Sequence, residues 1–487
     1  MEIALKELVL QPATRIEGHA KVIVRLDDKG EVEDARVHII ELRGFERFCV
    51  GRRAEDMPWI TTRICGVCPW AHHLASVKAV EAAFGVRPPE AAVELRHLAY
   101  LCDKIVDYIL HFYFMAGPDF LVGPTKKYEE RNIFNVITVF PEIASRIVRA
   151  RSQAHMLTEL IAGKRIHPVA AVPGGFSKPL KVDDKDKAKE LAVAIRDFAI
   201  FTMDFAKKNM FPQYIDQVKE LGLVRTAFLG LVDSDGRLNH YDGRLRYMRA
   251  DGSTVEFDPA EYSTYIGEQV KDWSYVKFPY WRQDGGLSLD PALPKGVYRV
   301  GPLARVNCCD AISTPLAQSE LKEFRRLFGR PAQPPLLYNY ARIIELLYAA
   351  ERVCQMLADP GILSTEVKKA VSPREGRGVG VVEASRGTLI HDYTTDAEGL
   401  IKKVNLVVAT THNNAAINMS VKQAATSLIK HGKYNEGLLN QIEMVIRAHD
   451  PCLSCATHLL NGRIALQLDI MKSDGSVRTM CNSRGEI

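Results

Sequence analysis

The chain has 487 residues, 47% of them hydrophobic and 25% charged, ordinary values for a globular protein with a large buried core. A formal charge of +5 without a concentrated basic stripe argues against nucleic acid as a partner. No stretch approaches the ~20 apolar residues of a membrane span, and Met1-Glu2-Ile3-Ala4-Leu5-Lys6-Glu7 lacks the basic start and apolar run of a signal peptide. A soluble, cytoplasmic protein is therefore expected, export on a partner's signal being the one alternative.

Residues 8–43 read as β structure, with partly alternating runs at Ala20–Arg25 and Ala35–Ile39 and a turn at Asp27-Asp28-Lys29-Gly30. After Cys68 the pattern turns helical to about Phe84, with Pro69 suited to a first turn. Beyond Pro88-Pro89, Leu95, Leu98, Cys102, Ile105, Ile109 and Phe112 form one apolar helical face, which Gly117-Pro118 is expected to end. Residues 139–163 and 184–222 read as long helices, separated by a rigid loop over 167–175. Residues 225–305 are rich in Gly, Asp, Tyr and Trp and read as a β-rich insertion. Helix returns over 317–358, short strands over 376–411, and two helices over 415–449 that stop before Pro451. The tail alternates at Ile464, Leu466, Leu468 and Ile470 and reads as a small hairpin. The expected fold class is α+β and predominantly helical: a long-helix core, a β-rich N-terminal part over 1–60, and the insertion.

Ten cysteines are too few for a disulfide scaffold in so long a chain. Four of them form two Cys-x-x-Cys pairs at opposite ends, Cys65/Cys68 and Cys452/Cys455, a spacing that lets both sulfurs of a pair reach one metal. Four thiolates satisfy a structural zinc, and they equally suit nickel or iron. Zinc pairs usually share one small module, whereas nearly the whole chain separates these two. The first pair precedes a helix, whose N-terminal dipole favours thiolate. Arg63 and His72 flank it, and His458 follows the second pair.

Arg15-Ile16-Glu17-Gly18-His19, Arg43-Gly44-Phe45-Glu46, Arg63-Ile64-Cys65-Gly66-Val67-Cys68 with His72, and Asp450-Pro451-Cys452 through Cys455 to His458 occur in that order. Together they resemble the large, catalytic subunit of a nickel–iron hydrogenase. The resemblance implies reversible heterolytic cleavage of H2, with Cys65 and Cys452 as terminal nickel ligands and Cys68 and Cys455 bridging nickel to an iron completed by one carbon monoxide and two cyanides. It implies Arg386 beside one cyanide, Leu389 in an apolar wall, and Thr410 donating to the other cyanide. A terminal thiolate, Cys452, becomes the nearest base, and Glu17 beside it the carboxylate that relays the proton onward. Glu46, the Leu406 carbonyl and His458 become ligands of a magnesium-like ion. Asp119 matches a family aspartate, but its usual arginine partner beyond Thr410 is replaced by Asn413-Asn414-Ala415.

The resemblance also implies an iron–sulfur small subunit as electron partner, since no further cysteine array is present. Arg43-Gly44-Phe45-Glu46, His72-His73 and His111-Phe112-Tyr113-Phe114 are most similar to the methyl-viologen-reducing type that works with heterodisulfide reductase, with NAD-linked bidirectional enzymes close behind. Residues 1–458 then form one catalytic domain, and 459–487 an extension that a maturation protease removes. The competing class is a non-catalytic protein: a structural four-cysteine zinc protein, or a hydrogenase-like scaffold of an electron-transfer complex. Cys102, Cys308, Cys309 and Cys354 read as buried thiols without a role.

Overall fold

The computed structural model describes residues 7–271, 273–457, 466–471 and 477–482. The N-terminal part is an antiparallel sheet of β1 (Glu7–Leu10), β2 (Ala20–Leu26) and β3 (Val32–Ile39), in that order. Its alternating residues Val22, Val24, Val37 and Ile39 point inward.

Helix α1 (Pro69–Phe84) follows, buried on nearly every side, and then α2 (Glu90–Ile109). Gly117-Pro118 does not end the second helical run as expected. The chain passes through a π-helical stretch, Leu110–Ala116, into a further helix at Gly117–Leu121, because proline in a first turn gives up an N–H that has no helical partner there. Helices α3 (Pro141–Ala162) and α4 (Val182–Asn209) complete the first half. The expected run to residue 222 breaks before Pro212. The loop over 167–175 carries a two-residue hairpin, Ala171–Val172 against Gly175–Phe176.

The insertion is built from β4 (Ala227–Val232), β5 (Arg244–Met248), β6 (Thr254–Phe257), β7 (Ile266–Lys271) and β8 (Ser274–Trp281). What reads as one helix over 317–358 is two, α5 (Pro315–Phe328) and α6 (Tyr338–Ala358). Gly329, Pro331, Pro334 and Pro335 lie at the break, where prolines cannot donate to a helical ladder. The long helices α2, α3, α4 and α6 pack in a closed cycle, which is the helical core.

An antiparallel meander comes next: β9 (Gly376–Ala384), β10 (Gly387–Thr395) and β11 (Ile401–Val407). Helices α7 (Ala409–Leu428) and α8 (Glu436–His449) follow. The tail strands β12 (Leu466–Met471) and β13 (Val477–Asn482) pair antiparallel, as the alternation suggests.

The contact that positions the site is α1 on β9. Gly376, Gly378 and Gly380 alternate along one face of β9, opposite Ala83, Ala79 and Ala75 of α1. A Cβ on Gly378 or Gly380 would lie 2.0 Å from a helix carbonyl oxygen. Small residues on both sides let the helix lie directly on the strand.

Candidate metal centre

Each cysteine pair sits where a helix begins. Cys65 is extended, at the end of the Thr61–Ile64 turn, and Cys68 is the N-cap of α1 with Pro69 behind it. The backbone N–H groups of Val67 and Cys68 both donate to Cys65 Sγ at 3.2 Å. At the other end of the chain, α8 stops at His449 and Asp450 turns left-handed (φ 54°). Cys452 then caps the short helix Leu453–Ala456.

The fold brings the two pairs together. All four sulfurs lie within 4.8 Å of one another and all four residues are buried. Cys65 faces Cys452 and Cys68 faces Cys455, each at 3.4 Å, and Cys452 lies 2.9 Å from Cys455. Burial pushes the Cys452 and Cys455 thiols well above the ordinary range. Cys65 goes the other way, held down by hydrogen bonds from Cys452 and the other thiols. Four buried thiols cannot all ionise without a cation, and a soft divalent metal supplies the charge that this donor set lacks.

Three groups latch the second pair onto the rest of the protein. The Thr410 hydroxyl accepts from Cys452 N–H at 2.8 Å. Glu17 lies beside Cys452 in a parallel bridge: its carbonyl accepts from Leu453 N–H at 3.1 Å, and its carboxylate from the Ser454 N–H at 3.2 Å and the Ser454 hydroxyl. Arg43 donates to the carbonyls of Ile64, Arg63 and Ser454, so one guanidinium spans both cysteine motifs. The sequence marks Arg43 only as part of a motif; its bridging role depends on a fold that joins the two ends.

Arg386 is buried and pairs with Asp107 Oδ2 at 2.8 Å and Asp450 Oδ1 at 3.0 Å. Burial opposes its charge, but Asp107 and Asp450, with Cys452 and Cys68 beyond them, more than offset this, so the guanidinium stays ionised. Among the described residues its Nε is buried without a partner. Leu389 is buried on β10. Thr410, which falls in a strand region by sequence, lies in the first turn of α7. Having accepted from Cys452 N–H, its hydroxyl keeps a proton to donate. A buried orphan donor, an apolar side chain and a hydroxyl with a proton to give fit anionic and apolar diatomic ligands.

Asp119 has an arginine after all, from an unexpected place. Arg447 of α8 donates Nε to Asp119 Oδ2 at 2.9 Å, and Arg15 adds a bond at 2.5 Å to Oδ1. Burial alone would raise the Asp119 carboxyl, but Arg447 and Arg15 hold it below the usual range. Glu46 accepts from Leu406 N–H at 2.8 Å and from buried Lys277 Nζ at 2.9 Å; Lys277 also reaches Asn405 Oδ1 at 2.9 Å and Glu268 at 3.2 Å. His458 lies outside the described residues. Of the other thiols, Cys49, Cys102, Cys308 and Cys309 are buried, while Cys354 is half-buried rather than fully enclosed.

The chain is similar to known proteins over most of its length. A model described as nickel-dependent hydrogenase matches residues 43–133 and 252–458, and one described as HoxL-like matches 7–42. The chain is 47% identical over 427 residues to the vhu F420-non-reducing hydrogenase subunit of Methanococcus voltae, covering 87% of this chain and 99% of that one. It is 36% identical over 486 residues to the NAD-reducing hydrogenase HoxS subunit beta of Cupriavidus necator, covering 96% and 98%. The crystal structure of an NAD+-reducing nickel–iron hydrogenase in the H2-reduced state superposes with a TM-score of 0.88 at 39% identity, covering 93% of this chain and all of that one.

Proposed function

The chain belongs to the nickel-dependent hydrogenase family, and from that premise we propose that Cys65, Cys68, Cys452 and Cys455 hold its nickel, Cys65 and Cys452 as terminal ligands and Cys68 and Cys455 as bridges to iron. The protein is an oxidoreductase, the large subunit that splits hydrogen into protons and electrons. The observation that carries the ligand set is the closure of four buried sulfurs from opposite ends of the chain into one cluster.

The metal pair supplies Lewis-acid polarisation of H2 and a sink for its electrons. The chain supplies the rest. Cys452 is the nearest base, and Glu17, joined to it by backbone pairing, takes the proton onward. The carboxylate is held toward the second pair by the Ser454 N–H and hydroxyl. Arg386 and Thr410 would serve as hydrogen-bond donors to cyanide ligands of the iron, and Leu389 would give an apolar wall for carbon monoxide. Asp107 and Asp450 keep Arg386 aimed and charged. Glu46, the Leu406 carbonyl and His458 would hold a magnesium-like ion, with Lys277, which donates to Glu46, beside it.

Electrons leave to an iron–sulfur small subunit in the cytoplasm. The relative named NAD-reducing supports NAD-linked subunits as further acceptors; heterodisulfide reductase rests on the resemblance of Arg43-Gly44-Phe45-Glu46, His72-His73 and His111-Phe112-Tyr113-Phe114 to the methyl-viologen-reducing type. Residues 459–487 are removed by a protease after nickel insertion. Infrared spectroscopy of the protein matured in its native host tests the iron ligands: carbon monoxide and cyanide bands are expected. A nickel-containing sample without them would overturn the roles of Arg386, Leu389 and Thr410.

A further inference from the structure

A helix buried like α1 must find an internal partner for each polar side chain it carries. Two of its buried polar residues look away from the meander. His73 Nδ1 donates to the Pro58 carbonyl at 2.9 Å while its Nε2 accepts from Ala171 N–H at 3.1 Å. Glu81 holds Arg96 at 2.6 Å. The other two, His72 and Ser76, stand one turn apart on the face toward β10. There His72 Nδ1 lies 3.1 Å from His391 Nε2, His391 Nδ1 lies 2.6 Å from the Tyr393 hydroxyl, and that hydroxyl lies 3.0 Å from Ser76 Oγ. His391 and Tyr393 are two apart on one face of a strand; His72 and Ser76 are four apart on one face of a helix. The four side chains bridge helix and strand, and all are buried.

We propose that His391 and Tyr393 are positioning residues for the metal centre, acting through His72 on the first turn of α1 and so on Cys68. The inference rests on Cys68 being a metal ligand. Helix α1 starts at Cys68, and His72 is one turn further on the same face. Strand β10 follows Arg386 directly and carries Leu389. The linkage therefore ties a sulfur of the first pair to the strand that brings the opposite wall of the site, and it fixes their separation. It also couples the proton positions. A neutral imidazole donates from one nitrogen and accepts at the other. When Tyr393 donates to Ser76, His391 Nδ1 donates to Tyr393, His391 Nε2 accepts, and His72 Nδ1 donates. Reversing one bond reverses all of them. The direction in which Tyr393 donates, set by the hydroxyls of Ser76 and Thr61 around it, thus decides which nitrogen of His72 carries the proton.

The test uses the nickel-loaded complex with its partner subunit, comparing Tyr393→Phe, His391→Ala and His391→Gln with the wild type. Nickel content, the g values of the nickel electron paramagnetic resonance signal and the rate of nickel loss to a chelator are read beside the thermal midpoint. Tyr393→Phe removes one oxygen and no bulk, and is expected to keep nickel and the midpoint while shifting the g values. His391→Ala is expected to lose nickel about 10-fold faster, the scale of outer-shell effects on metal affinity. His391→Gln, whose amide can still accept from His72 Nδ1, should recover most of that. Wild-type g values in Tyr393→Phe together with wild-type nickel loss in His391→Ala would overturn the proposal, whatever the midpoints. Nickel-free wild-type protein would overturn the ligand assignment and the positioning role with it.

Discussion

The two cysteine pairs reach the same point by different physics. The first is built into the core. Cys68 caps a sixteen-residue helix that lies on β9 through three glycines, and backbone N–H groups fix Cys65 Sγ. The second follows a left-handed Asp450 and precedes a helix of four residues. It is held to the rest of the protein by Thr410, Glu17 and Arg43. Packing preforms one half of the site; polar bonds close the other half onto it. A half held this way can open without disturbing the core, which would suit the late removal of residues 459–487 proposed above.

The largest expected effect separates closing the site from moving protons through it. Glu17→Gln keeps an acceptor for Ser454, so the second pair should stay in place and nickel content should not change. H2 oxidation and H/D exchange should fall by about 100-fold or more. Wild-type turnover in that variant would remove Glu17 from the proton route.

Acid should weaken both halves at once. Burial pushes His73, on the first helix, down to about 4, and His449, just before the second pair, down to about 3. An unfolded histidine takes up its proton near 6.5. Between those values the unfolded chain binds more protons than the folded one. Stability is therefore complete above pH ~6.5 and is lost as pH falls toward 4 and then 3, at about 1.4 kcal/mol per pH unit for each histidine. Thermal midpoints of metal-free protein should drop over this window; a flat profile would show that these histidines are protonated in the folded state.

Smaller effects distinguish the halves. In Gly380→Ala the new Cβ meets the Ala75 carbonyl oxygen, part of a backbone with no flexible end to yield, so about 1–3 kcal/mol of stability should be lost and nickel with it. An unchanged midpoint would mean that the first pair does not depend on this packing. Thr410→Ala strands the buried Cys452 N–H, costing about 1–2 kcal/mol. Its expected signature is faster nickel release with little change in midpoint, and Thr410→Ser should restore the wild-type rate. Equal nickel release in the Ala and Ser variants would remove the hydroxyl from the latch.

What can be read from the chain follows the same division. Both pairs are visible because cysteine spacing is local, and the helical core is visible because its apolar faces repeat. The pieces that join distant segments are not. Arg43 is one more arginine until Ile64 and Ser454 come beside it. Asp107 sits among apolar neighbours on α2 and gains meaning only from Arg386. The partner of Asp119 does not lie in the few residues after Thr410, because it comes from the far end of α8 as Arg447. The glycines of β9 alternate in plain sight, but their match to Ala75, Ala79 and Ala83 needs strand and helix in register. Thr410 reads as strand because Leu406-Val407-Val408 continues the β pattern, whereas Val408 is already the N-cap of α7.

The central claim is that four sulfurs from the two ends of the chain hold one nickel–iron centre. Metal analysis combined with nickel-edge X-ray absorption, on protein purified with its small subunit from a host that matures it, tests this most directly. One nickel per complex, with iron in excess because the small subunit carries iron–sulfur clusters, and nickel in a sulfur shell that is lost in both Cys65→Ser and Cys452→Ser, is the expected result. Stoichiometric zinc without nickel, or nickel retained in either variant with its sulfur shell unchanged, would contradict it.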